Sequence, residues 1–143
     1  MSALRLNYSK LSPAAYQGFI ATKTALNGST LGKQFIELIN LRISQINGCA
    51  FCLEMHTRAL REAGYPLPKL DSLAGWHASA LFDARERAAL AWAESVTHIA
   101  VTHAPDEAYE ALRAHFSDAE ITDLTFAVAL MNAFNRMAIS MRQ

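Results

Sequence analysis

A chain of 143 residues, 52% apolar and 18% charged, is long enough for one domain with a real core and too apolar to be disordered. Its 13 basic and 13 acidic residues cancel, which excludes the basic footprint of a nucleic-acid binder. So little charge points to apolar surface covered by another subunit.

The opening residues MSALRLNYSKLSPAAYQGFI lack the basic start and apolar run of a secretory signal, so a cytoplasmic location is expected. Helical periodicity then runs through nearly the whole chain, and no stretch alternates as a strand would. Ser12-Pro13 opens a first helix that ends near Asn27-Gly28. Thr30 is a candidate cap for a second, from about Leu31 to Asn47, which Gly48 breaks. A third runs from about Cys49 to Ala63, with Gly64 at the position of a left-handed cap. Tyr65 to Gly75, with Pro66 and Pro68, reads as a loop holding at most a short helix.

Asp83 and Glu86 form a capping box for a helix to about Ile99. His103-Ala104-Pro105 opens another to about His115, and Ser117 with Glu120 starts a long last helix. That helix carries the most apolar run, LTFAVALMNAFNRMAIS, but Asn132, Asn135 and Arg136 make it a core or interface helix, with no membrane partner expected. The expectation is an all-α protein with a single domain over residues 1–143.

The chemistry concentrates in NGCAFCLEMH, which holds the two cysteines, Cys49 and Cys52, and His56. On a helical wheel these three share a stripe with Leu53, Leu60 and Ala63. Buried packing would account for two thiols and an imidazole on an apolar face. A zinc site would need a fourth ligand, and neither a second CxxC nor an HxxxH pair supplies one. A redox pair uses every feature. Cys49 lies at the helix N-terminus, where free amides favour a thiolate. Cys52 is one turn in, and His56 is placed to take its proton. Oxidised Cys52 would have a resolving thiol one turn away.

Glu37 is the candidate for orienting the histidine. With the second and third helices folded back around Gly48, Glu37 lies about 16 Å above the turn, His56 about 12 Å and Cys52 about 6 Å. That is the order of a carboxylate–imidazole–thiol relay. Against it, Glu37 shares a polar wedge with Asn40, Ser44 and Asn47, as a solvated face would. Trp76 and Trp92 read as packing residues. Phe51 and Met55 flank the cysteine stripe, either walling the site or meeting another subunit. Tyr8 and Tyr16 could bring hydroxyls, but nothing in the sequence places them.

The run ELINLRISQINGCAFCLEMHTRALREAG, Glu37 to Gly64, closely resembles the core of the alkylhydroperoxidase AhpD-like proteins, within the broader carboxymuconolactone decarboxylase-like group. The matching elements are a Glu twelve residues before the first Cys, the CxxC, and a His four after the second. DARERAALAWAESVT, Asp83 to Thr97, is also similar to a family helix. The resemblance implies an all-helical fold assembled as a homo-oligomer, often a trimer or hexamer. It implies a thiol-dependent peroxidase in which Cys52 attacks a hydroperoxide, Cys49 resolves, and His56 and Glu37 relay the proton. An external dithiol, protein or small thiol, would be the reducing partner, and no metal or flavin cofactor is needed. One position departs: characterised AhpD has a histidine between its cysteines, where this chain has Phe51. Two other functions stay open. A lyase of the broader group would need pocket cations for a carboxylate, and no Arg cluster is evident near the motif. A non-enzymatic redox sensor would form the disulfide without fast peroxide chemistry.

Overall fold

A computed structural model describes residues 3–143, so Met1 and Ser2 of the expected domain lie outside the described residues. The elements are α1 (Tyr8–Leu11), α2 (Pro13–Leu26), α3 (Lys33–Asn47), α4 (Ala50–Glu62), α5 (Leu67–Ser72), α6 (Ala84–Thr97), α7 (Ile99–Thr102), α8 (Asp106–Arg113) and α9 (Asp118–Met141). A 3-10 turn at Leu73–Ala78 follows α5, and no strand occurs among the described residues. The all-α reading therefore holds.

Local chemistry accounts for most boundaries. Pro13 starts α2, where its missing N–H costs nothing. Both capping boxes form, Asp83 with Glu86 on α6 and Ser117 with Glu120 on α9. Gly48 ends α3 at φ 69°, and Gly64 follows α4 at φ 75°; both are left-handed positions that suit glycine. Three expectations need correction. Thr30 does not cap α3, which starts two residues later behind Gly32 at φ 87°. The expected loop after Gly64 is mostly helical, because Pro66 and Pro68 stand at and just inside the start of α5, where proline is tolerated. The helix expected from His103 begins only at Asp106, since Ala104 before Pro105 is disfavoured in α geometry and sits at φ 47°.

α3 and α4 fold back on each other around Gly48, and Gln34 Nε2 donates to Ala63 O at 3.1 Å to tie their far ends. α9 packs against α2, α3, α4, α6 and α8. It is long and apolar enough by composition to cross a membrane, yet here Leu124, Val128 and Asn135 on it are fully buried in the domain. The main core joins Leu38, Ile39 and Ile43 of α3 to Leu60, Leu90 and Leu112, each at most 1% exposed. Each such side chain contributes about 1.5–3 kcal/mol on burial. A second, small cluster joins Cys49 and Cys52 to Ala138, so the cysteine turn is seated on the last helix.

Trp76 and Trp92 are packing residues as expected, each with its indole N–H donating, to Glu94 at 2.7 Å and to Thr125 at 3.0 Å.

Candidate active site

The site begins at the glycine turn. With Gly48 left-handed, the chain re-enters α geometry at Ala50, and Cys49 becomes the N-cap residue, extended at φ −84°, ψ 97°. Cys49 O accepts the first bond of α4, from Leu53 N at 2.8 Å. Cys52 is then the third residue of the helix. Both sulfurs thus lie in the first turn, where amides lack partners within the helix. The N-terminal effect that in sequence pointed to Cys49 alone therefore reaches Cys52 too.

A disulfide joins Cys49 and Cys52, whose Cα atoms are 5.3 Å apart. Both residues are buried, at 1% and 3% exposure.

One turn beyond Cys52, His56 is 3% exposed. Its Nδ1 lies 2.6 Å from Glu37 Oε2. The carboxylate can only accept, so the proton sits on Nδ1 and donates to it. In the neutral ring Nε2 then keeps its lone pair, and this buried atom has no hydrogen-bond partner. An orphan acceptor in a buried site is costly unless something occupies it in function.

Glu37 is thus not a solvated carboxylate: its side chain is only 17% exposed. The whole polar wedge of α3 turns inward. Asn40 and Ser44 are buried, and Asn47 Nδ2 donates to Asn132 Oδ1 and Asn135 Oδ1, each at 3.0 Å. Asn135 Nδ2 in turn donates to Ser44 Oγ at 3.1 Å. This network pins the end of α3, just before the cysteine turn, to α9.

A cavity of about 180 Å³ opens over the motif, lined by Glu37, Cys52 and His56 together. Cys49 is not on its wall. The rest is mainly apolar, with Ile20, Ile36, Met131 and Phe134 among the lining residues. Phe51 and Met55 wall it while remaining 41% and 39% exposed, which answers one of the alternatives left by the sequence. Tyr8 and Tyr16 also line it, although the sequence could not place them. The Tyr8 hydroxyl donates to Gln143 Oε1, and Arg5 N donates to Met141 O at 2.8 Å, so the start of the chain crosses the end of α9 beside the cavity.

Lys23 and Lys33 were missed altogether. As lone surface lysines on two helices they carry no pattern that sequence reasoning could use. Among the described residues no three His, Cys, Asp or Glu side chains cluster as metal ligands.

Comparison with known proteins places this geometry. The pattern of the carboxymuconolactone decarboxylase family matches residues 13–95, which includes every residue of the cysteine–histidine–glutamate cluster. The uncharacterized protein YdfG of Bacillus subtilis is 31% identical over 137 residues, spanning 96% of this chain and 93% of its own. The uncharacterized protein YnjA of Escherichia coli is 33% identical over 104 residues, 73% of this chain and 57% of its own. Among solved structures, a protein of unknown function from Agrobacterium tumefaciens, likened to the antioxidant defence protein AhpD, superposes with a TM-score of 0.94 at 43% identity, covering 99% of this chain and 97% of that one. An uncharacterized peroxidase-related protein from Ralstonia eutropha with an alkylhydroperoxidase AhpD core superposes with a TM-score of 0.80 at 29% identity, covering 94% and 72%. The chain belongs to the carboxymuconolactone decarboxylase family, as an AhpD-like member.

Proposed function

We propose that the protein is a thiol-dependent peroxidase that reduces hydroperoxides through Cys52 and Cys49. The observation that carries this reading is the free, buried Nε2 of His56 on a cavity wall shared with Cys52, its ring held by Glu37 on the opposite nitrogen.

In the reduced protein, His56 Nε2 takes the Cys52 proton, and the Nδ1–H bond to Glu37 stabilises the imidazolium. The thiolate attacks the peroxide oxygen, the O–O bond breaks, and Cys52 becomes a sulfenic acid. The departing alkoxide takes the proton from His56 and leaves as an alcohol. Cys49 then attacks the Cys52 sulfur, the S–O bond breaks, and hydroxide leaves as water with the Cys49 proton. The disulfide of the structure is the product of this half-cycle. A dithiol, protein or small molecule, returns two electrons and two protons.

The test is hydroperoxide consumption with a dithiol as reductant. Cys52→Ser should abolish turnover, and Cys49→Ser should stop after one equivalent with a sulfenic acid that a dimedone adduct reports by mass. Turnover at the wild-type rate in both variants would end the proposal.

A further inference from the structure

The active-site cavity has a charge asymmetry that peroxide chemistry itself does not need. Its catalytic end carries one carboxylate, Glu37, already engaged by His56. Its other charged side chains are Lys23 of α2 and Lys33, the first residue of α3. Both are exposed and neither belongs to an ion pair among the described residues. Besides Glu37, no Asp or Glu side chain lines the cavity. The same wall carries an apolar set, Ile20, Leu26, Ile36, Leu130 and Phe134, beside the polar Asn27 and Asn40.

Position along the helices supplies a length. Lys33 lies four residues before Glu37, one further turn from the cysteine end. Relative to Cys52 it stands roughly 16 Å farther from the Gly48 turn, at 1.5 Å per residue in both helices. A molecule that put a reacting oxygen at Cys52 and an anion at the lysines would need an apolar body between them. Hydrogen peroxide cannot span this distance, and a plain alkyl hydroperoxide would leave both lysines unused.

We infer that the cavity selects amphipathic acids: a carboxylate held by Lys23 and Lys33, an acyl or aryl body against the apolar wall, and the reacting group at Cys52. That the reacting group is a hydroperoxide rests on the function proposed above; the anion site does not. Two mobile lysines act as point charges, so they favour any carboxylate at the right distance over one exact head group.

The experiment separates the two layers. The disulfide form is titrated by calorimetry with ω-hydroxydodecanoate and with its methyl ester, which share body and length and differ in charge. The acid should bind about tenfold more tightly than the ester. Lys23→Gln/Lys33→Gln should erase that difference while leaving ester binding unchanged, and added salt should shrink it in the wild type. Equal binding of acid and ester, equal losses for both in the double variant, or no binding of either would overturn the inference. Hydroperoxide turnover is measured separately on the reduced protein. Its absence with the acid preference intact would remove the peroxidase and keep the anion site, and turnover without any acid preference would do the reverse.

Discussion

His56 shows how one hydrogen bond can decide a residue's chemistry. Held by Glu37 through Nδ1, the ring presents Nε2 as a base; without that bond, either nitrogen could carry the proton. Glu37→Gln should therefore lower kcat for hydroperoxide by about ten- to a hundredfold, as loss of an orienting partner commonly does. His56→Gln should cost about a hundredfold or more, because the proton acceptor itself is gone. Stopped-flow oxidation of the reduced pair measures both, and an unchanged rate in Glu37→Gln would remove it from the relay. The CxxC spacing and the axial order of Glu37, His56 and Cys52 were legible in sequence, because helix rise is regular enough to compute. The burial of Glu37 was not. Its wedge of Asn40, Ser44 and Asn47 looks solvated until Asn132 and Asn135, more than eighty residues later, supply the partners of that face.

At the scale of the element, the α3–α4 hairpin brings Glu37 and His56 into contact and sets Cys52 on the same cavity wall, and Gly48 is its turn. A Cβ built on Gly48 would meet nothing within 4 Å, so a substitution there is limited by backbone conformation alone. Gly48→Ala, held at φ 69°, should cost about 1–2 kcal/mol, read from denaturant midpoints. A larger loss would mean that the turn is also closely packed. Asn135→Ala tests the anchor on α9: it leaves fully buried Ser44 short of a partner, takes one of two acceptors from Asn47, and should cost about 1–3 kcal/mol. Helix starts were readable where a cap or a proline marks them, as at Pro13, Asp83 and Ser117. They were misplaced at Thr30 and His103, where a left-handed residue just downstream overrides the side-chain signal.

Across the whole molecule, Glu94 is the polar junction between α3, α6 and the 3-10 turn. Burial alone would raise its carboxyl pKa, but hydrogen bonds from Trp76, His77 and Arg42, together with the Arg42 charge, outweigh this and hold it below the ordinary 4.5. A carboxyl lowered on folding stabilises the native state above its unfolded value, and that contribution is lost as pH falls through the folded value. Glu94→Gln should therefore be less stable by about 1–3 kcal/mol at neutral pH and should lose stability less steeply below about pH 4.5. Thermal melts across that range check both slopes. The helical class came through from periodicity alone. The cavity did not, because its walls come from α1, α2, α3, α4 and α9 and exist only once those helices pack.

The sulfur–sulfur bond is sealed almost completely, with its two residues 1% and 3% exposed. Thiol–disulfide exchange needs an incoming thiolate to approach a sulfur in line with the bond it breaks. Cys52 lines the cavity and Cys49 does not, so a small dithiol would reach the bond from the Cys52 side. A folded protein donor, too large for a cavity of about 180 Å³, would have to wait for the first turn of α4 to fray. Regeneration would then run at the tempo of a local opening, and its choice of donor would be decided by girth before chemistry.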